Sequence, residues 1–276
     1  MTPAAPLLAH DAALACRLEQ AEATTTARYT AAQALLDPAS GSTVGAIGDG
    51  LAIFAGAGSP INRVVGLGTA QPVSPALVAT CEAFYAARGE ACRIDLCPTA
   101  EPSLAATLAE HGYSDALSKH VFVRSLVGWD AAAAGVSTIA VNAIAPEEAE
   151  LWAETLAAAG DDGKPNRVAR AIALPNPYKA DTTCFLARVG GLPAGGGALA
   201  MVDGVAVCYS TAVRPAMRRQ GVQRALLDAR LAYARDRGCD LALVQTTPGS
   251  ASQRNVERCG FQLAYTKATM VRPIPG

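Results

Sequence analysis

Apolar residues recur along this chain in two rhythms, and each change of rhythm marks an element. Residues 7–36 are rich in Ala, Leu, Glu and Gln with no internal Gly or Pro, which predicts one or two helices. Short glycine-punctuated runs follow, LAIFAG (51–56) and RVVGLG (63–68), and these predict strands. SPALVATCEAFYAARG (74–89) predicts a helix, with Ser74 at its N-cap, Pro75 in its first turn and Gly89 at its end. CRIDLC (92–97) predicts a strand, EPSLAATLAEHGY (101–113) a helix closed by Gly112, and HVFVRSL (120–126) another strand.

The same order then returns. PEEAELWAETLAAAG (146–160) is amphipathic, with Leu151, Trp152 and Leu156 on its apolar side. A hairpin of CFLARVGG and AGGGALAMVDG precedes the strand VAVCYSTAV (205–213). A long helix over 220–237, the strand DLALVQT (240–246), a helix ending at Gly260 and the strand AYTKATMVRP (264–273) complete the series. EHGYSDALSKHVFVR (110–124) also lies over RCGFQLAYTKATMVR (258–272) without a gap, at an offset of 148. Two copies of one α/β unit are therefore expected. The Gly- and Ala-rich stretch GWDAAAAGVSTI (128–139) separates them, which gives units 1–128 and 137–276.

Composition narrows the function classes. With 51% hydrophobic and 17% charged residues, the 276-residue chain has ample material for a core, and length alone suggests about two domains. Twenty-three basic against 24 acidic residues give a net charge of −1, so there is no general attraction to nucleic acid or to an acidic membrane. The apolar start is broken by His10, Asp11, Arg17 and Glu19, so no signal peptide is read, and no apolar run reaches spanning length. Eight cysteines without CxxC spacing and only three histidines leave no metal site and read as free thiols in a reducing cytoplasm.

The chemistry concentrates in AVRPAMRRQGVQRALLDARLAYARDRG (212–238). Here a strand runs into a loop with Arg218, Arg219 and Gly221, and the loop into a helix. Gly221 permits close backbone approach where free N–H groups and the positive dipole end favour a phosphate or pyrophosphate. Arg218, Arg219 and Arg224 add charge-assisted donors.

At these residues the sequence resembles the GNAT superfamily of acyl-CoA-dependent N-acetyltransferases, whose Arg/Gln-x-x-Gly-x-Gly/Ala signature binds the coenzyme A pyrophosphate. The signature reads here Arg218-Arg219-Gln220-Gly221-Val222-Gln223, with Gln223 departing from the small residue at its end. Ala212-Val213-Arg214-Pro215 before it, Ala225-Leu226-Leu227 after it and Cys259-Gly260-Phe261 further on fit the same order. The resemblance covers roughly 140–273. It implies two tandem units, each with a mixed, mostly antiparallel sheet flanked by helices, and acetyl-CoA as cosubstrate at Ala212, Val213, Arg218–Arg224, Ser252 and Asn255. It also implies direct attack by a primary amine of a small polar acceptor, in the cytoplasm, with homodimerisation left open.

Two customary groups are missing. No carboxylate lies in VAVCYSTAV to act as base, and the usual tyrosine acid position holds Val256. Tyr209 and Tyr265 are the candidates, each weighed against a role as a core tyrosine. A CoA-binding sensor without turnover is the competing reading, and a nucleotide-binding α/β protein a third. In the first half QPVSPA (71–76) stands where the second has its cradle, so that half is expected to bind no coenzyme and to act through packing. Asn62 and Arg63 in GAGSPINR (56–63) are candidates for an acceptor-side site, as are DDGKPNRVAR (161–170) and LPNPYKADTT (174–183). GGLPAGGG (190–197) is read as a hairpin turn and not as a dinucleotide fingerprint.

Overall fold

The computed structural model describes residues 11–130, 139–160 and 166–272. Most of the stretch expected as a boundary (131–138), the DDGKP of the acceptor-side stretch (161–165) and the first residues of the opening helix lie outside these. Within the described residues the chain packs as two compact units. One comprises Met1–Val123, Gln245–Arg254 and Phe261–Gly276, and the other Arg124–Val244 with Asn255–Gly260.

In the first unit, α1 (Ala12–Leu36) is one long helix. It starts where the Asp11 carboxylate accepts from the N–H groups of Ala13 and Leu14, at 3.0 and 3.1 Å. Strands β1 (Thr43–Ile47), β2 (Gly50–Phe54), β3 (Arg63–Val65) and β4 (Cys92–Leu96) follow, with α2 (Pro75–Ala86) between β3 and β4. The expected Ser74 cap is present, accepting from Leu77 N–H. After α3 (Pro102–Glu110) comes β5 (Ser114–Ser125). β1 to β3 pair antiparallel, whereas β3 and β4 are parallel through Val64 and Ile94. Parallel neighbours need a crossover, and α2 supplies it. The core gathers Ile47, Val64, Leu67, Tyr85, Ile94, Leu104 and Leu108.

One strand of this sheet comes from the far end of the chain. β11 (Gln262–Arg272) pairs antiparallel with both β4 and β5, so the second copy's closing strand belongs to the first unit. Periodicity shows that 264–273 is a strand but not which neighbour it takes. The compact units are therefore interleaved along the chain rather than divided at one point.

In the second unit, β6 (Ala140–Ala143) precedes α4 (Ala149–Ala157) and α5 (Arg167–Ala173). β7 (Thr182–Val189), β8 (Leu192–Val202) and β9 (Val205–Val213) run antiparallel to one another, with β6 beside β7. The β7–β8 turn is Gly190-Gly191 alone, both at positive φ, and the rest of GGLPAGGG is strand. α6 (Val222–Arg235) carries the chain to β10 (Leu241–Thr246), parallel to β9, and α7 (Ala251–Arg258) follows. Gly196 lets α4 lie close, since a Cβ there would meet Leu156 at 2.5 Å and Trp152 Nε1 at 2.7 Å. Trp152 Nε1 donates instead to the Phe185 carbonyl at 2.9 Å. All eight cysteines are free thiols, and among the described residues no helix is long and apolar enough to cross a membrane.

Candidate functional site

β9 and β10 stay paired only from Val205/Leu241 to Cys208/Val244. Beyond that point β9 bulges: Ala198 faces Tyr209 and Gly196 faces Ala212, so two β9 residues oppose Gly197, and Ser210 takes φ +47°. Arg230, 2% exposed on α6, braces the bulge. Its Nη1 donates to the Ala198 and Tyr209 carbonyls at 3.1 and 3.4 Å, and its Nε to Leu226 O at 2.9 Å. A Cβ on Gly197 would lie 2.9 Å from the guanidinium carbon, so only glycine leaves room for it. Ala212 and Val213 thus lie beyond the β10 ladder and pair on one side only, with β8.

The loop between β9 and α6 has the shape the sequence suggested. Arg219 and Gly221 adopt left-handed backbone, at φ +61° and +86°. Ala225 is the first residue of α6 whose N–H reaches a carbonyl, that of Gly221 at 3.0 Å. The N–H groups of Val222, Gln223 and Arg224 therefore have no carbonyl partner among the described residues and point out of the helix start. The nearest atom to a Cβ built on Gly221 is Ile139 Cδ1 at 3.8 Å, so the site itself is open and the backbone conformation selects glycine. A phosphate-type group fits such a cradle.

The three arginines do not act alike. Arg218 donates to the Ala159 carbonyl at 2.7 Å and to Val213 O at 3.4 Å, which fastens the loop. Arg224 pairs with Asp228 at 3.2 Å, one turn on. Arg219 is exposed at the rim. Gln220 donates to Ala216 O at 3.2 Å. Gln223, the departure from the family pattern, is held aside because Asn255 Nδ2 donates to its Oε1 at 2.5 Å. Asn255 therefore acts on the cradle through Gln223. Ser252 lies in the first turn of α7, whose cap is Ser250, accepting from Gln253 N–H at 3.1 Å.

Tyr209 packs with Ala212 against the Trp152, Leu156 and Ala173 cluster. Lys179 Nζ donates to its hydroxyl at 2.8 Å, and burial holds the phenol well above its ordinary range. Lys179 is itself buried, and sequence reasoning reached it only as one polar residue of a loop. Tyr265 belongs to the first unit, where its hydroxyl donates to Glu19 Oε1 at 2.7 Å.

The first unit carries a second set of groups that sequence reasoning missed. Lys267 (β11), 1% exposed, lies 3.1 Å from both Glu19 oxygens and 3.4 Å from Asp95, and it bonds Glu22. Arg63 reaches Glu22 and Asp95, each at 2.9 Å, and Thr269 donates to Asp95 at 2.6 Å. Burial raises the Glu19 carboxyl despite Lys267, whereas the two cations hold Glu22 and Asp95 below the carboxylate range. Asn62 is buried, accepting from Ala55 N–H and donating to Gly56 O, both at 2.8 Å. Asn62 and Arg63 are thus committed to the interior of their own unit.

Residues 149–261 match the family described as "Acetyltransferase (GNAT) family". Among solved structures, a GCN5-related N-acetyltransferase from Kribbella flavida aligns at TM-score 0.67 and 20% identity, over 95% of this chain and 96% of that one. A tandem GNAT protein from the clavulanic acid biosynthesis pathway aligns at TM-score 0.58 and 17% identity, over 82% and 80%. A GCN5-related N-acetyltransferase from Sphaerobacter thermophilus gives TM-score 0.54 and 16% identity, over 71% and 66%. No curated protein matches. The fold is that of these acetyltransferases, one of them tandem, and the match to the GNAT acetyltransferase family is confined to residues 149–261.

Proposed function

We propose that this protein is an acetyl-CoA-dependent N-acetyltransferase that moves an acetyl group to a primary amine of a small polar acceptor. The observation that carries the reading is the open cradle at Gly221, with three outward N–H groups and left-handed backbone at Arg219 and Gly221. Bound acetyl-CoA supplies the activated thioester. Gly221, Val222, Gln223 and Arg224 hold its pyrophosphate by backbone N–H groups, and Arg219 adds a cation at the rim. Ala212 and Val213 offer the free edge of β9 to the pantetheine arm, and Asn255 acts at the start of α6 through Gln223.

Tyr209 keeps its proton at neutral pH, because burial disfavours the phenolate. It gives that proton to the departing sulfur as the carbon–sulfur bond breaks, and it regains one from the newly acylated nitrogen. With no carboxylate in Val205–Val213, the acceptor enters as the neutral amine set by its own equilibrium. For an amine of pKa about 10 that costs about 4 kcal/mol at pH 7. Turnover per unit of total amine then rises about tenfold per pH unit up to about pH 9.

Gly221→Val and Arg219→Glu test the cradle. Each should weaken CoA in calorimetric titration by roughly 10- to 150-fold, with the far-UV spectrum unchanged. Unchanged affinity in both variants would place the coenzyme elsewhere. The missing carboxylate also favours a second reading, a CoA-binding sensor without turnover. Incubation with acetyl-CoA and a panel of amines, reading free thiol, separates the two, since release above the no-amine rate requires catalysis. Tyr209→Phe should then lower kcat and leave the CoA affinity in place.

A further inference from the structure

The two units repeat one arrangement: a parallel strand pair joined through a loop and a crossover helix. In the second unit this is β9, the 214–221 loop, α6 and β10. In the first it is β3, the 66–74 loop, α2 and β4. In the second unit the N–H groups at the helix start are open, whereas in the first the N–H groups of the loop that leads to the helix are already taken. The Asp49 carboxylate accepts from Gly68 N–H at 2.8 Å through Oδ1, and from Ala70 and Gln71 N–H at 2.7 and 3.3 Å through Oδ2.

Three N–H groups converging on two oxygens make a nest of the kind that binds phosphate oxygens. The loop is shaped for it. Gly68 has φ +74°, and its carbonyl is tied down by Glu101 N–H at 2.8 Å. Asp49 comes from the β1–β2 turn, nineteen to twenty-two residues away along the chain. That turn approaches because residue 50 is glycine: a Cβ there would lie 2.9 Å from the Leu67 backbone. No basic residue occurs between 66 and 76 to share an anion with the nest.

We propose that residues 68–71 form a second anion site, of phosphate and pyrophosphate type, which the chain occupies with its own Asp49 carboxylate. The first unit is thereby closed to coenzyme A, and the molecule takes one coenzyme per chain. The comparison of loops rests on the reading of 214–221 as the coenzyme cradle; the nest and its occupant do not.

Hydrogen exchange read separately on peptides covering 66–73 and 214–224 tests both points. In the wild-type protein the first peptide should be protected without ligand and unmoved by inorganic pyrophosphate. Asp49→Ala should speed its exchange by roughly tenfold. Pyrophosphate, but not chloride at equal ionic strength, should restore the protection. Asp49→Asn keeps one acceptor oxygen and the turn while losing the charge, and it should behave in the same sense with a smaller change. If pyrophosphate restores nothing in either variant, Asp49 merely closes a turn and the proposal fails. A wild-type calorimetric stoichiometry of two CoA per chain would overturn it without any variant. Failure of the cradle reading is visible apart from this, as a 214–224 peptide that CoA leaves unprotected.

Discussion

Replacing Lys267 by methionine keeps an unbranched side chain one atom shorter and removes its charge and its N–H donors. In the native protein that ammonium faces Glu19 at 3.1 Å and Asp95 at 3.4 Å, and also Glu22, with both itself and Glu19 1% exposed. Without it, three buried carboxyls share Arg63 and the half-buried Lys119. Breaking a buried pair costs about 3–5 kcal/mol when the stranded charge stays ionised. The molecule has a cheaper route, which is to protonate Glu19, the carboxyl already raised by burial. From an unfolded pKa of about 4.3, carrying that proton costs at most about 3.7 kcal/mol at pH 7 and about 1 kcal/mol at pH 5.

The destabilisation should therefore shrink by about 1.4 kcal/mol per pH unit, the slope of one proton bound in the folded state. Glu19 is already raised in the wild type, so this slope holds above the pH at which wild-type Glu19 takes its own proton, and the difference levels off below it. Glu22 and Asp95 are lowered, so their contribution is complete above the unfolded carboxylate range and is lost only as pH falls well below it. Lys267 is raised, so its contribution is complete below the unfolded lysine range and is lost only as pH climbs beyond it. Urea unfolding followed by far-UV circular dichroism at pH 5, 6 and 7 measures the difference. Both tryptophans, Trp129 and Trp152, lie in the second unit, and their fluorescence serves as an internal control. A destabilisation that is flat across this range, or under about 1 kcal/mol at pH 7, would refute the idea that Lys267 compensates buried carboxylates.

Three further outcomes are expected. Asn255→Ala frees Gln223 to turn over the start of α6, and CoA should bind several-fold more weakly by calorimetry; unchanged binding would mean that Gln223 does not need holding. Gly196→Ala drives a Cβ into Leu156 and Trp152 and should cost about 1–3 kcal/mol. It should also shift Trp152 emission as the bond to Phe185 breaks, and an unmoved spectrum would show that α4 can retreat intact. Ending the chain after Gly260 removes β11, Tyr265, Lys267 and Thr269. The peptides of β4 and α1 should then exchange near the unfolded rate, whereas protected peptides there would show that the first unit closes alone.

Local signals made much of this legible in sequence. Ser74 and Pro75 announce α2, Gly190-Gly191 the hairpin, and Gly221 between arginines the left-handed turn before α6, because each is a short-range conformational demand. β1 and β6 were missed: TVGAI carries a glycine against which Phe84 packs, and AVNA is mostly exposed with no apolar alternation. Glu19 and Glu22 look like the solvated face of a helix, and nothing local pairs them with Lys267 almost 250 residues on. Asp49 has the same difficulty, since a Gly-Asp-Gly turn says hairpin and leaves its distant partners unnamed. The run 264–273 reads as a strand, but the neighbours that β11 takes, β4 and β5, are not written in its own pattern.

The placing of β11 has a consequence for how the chain is made. Ribosomal synthesis at about 5–20 residues per second leaves roughly 7–30 s between the emergence of β5 and that of β11. Throughout that interval α1, β3 and β4 are present with Glu19, Glu22 and Asp95 but without Lys267, and the flank of β4 that β11 will cover has no strand on it. An uncovered strand edge is a template for pairing with other chains. The second unit, whose strands β6 to β10 all precede β11, can reach its fold while the first is still waiting. The first half to be synthesised is thus the last to be completed, and its yield in the cell depends on how long a nascent chain can keep one edge covered.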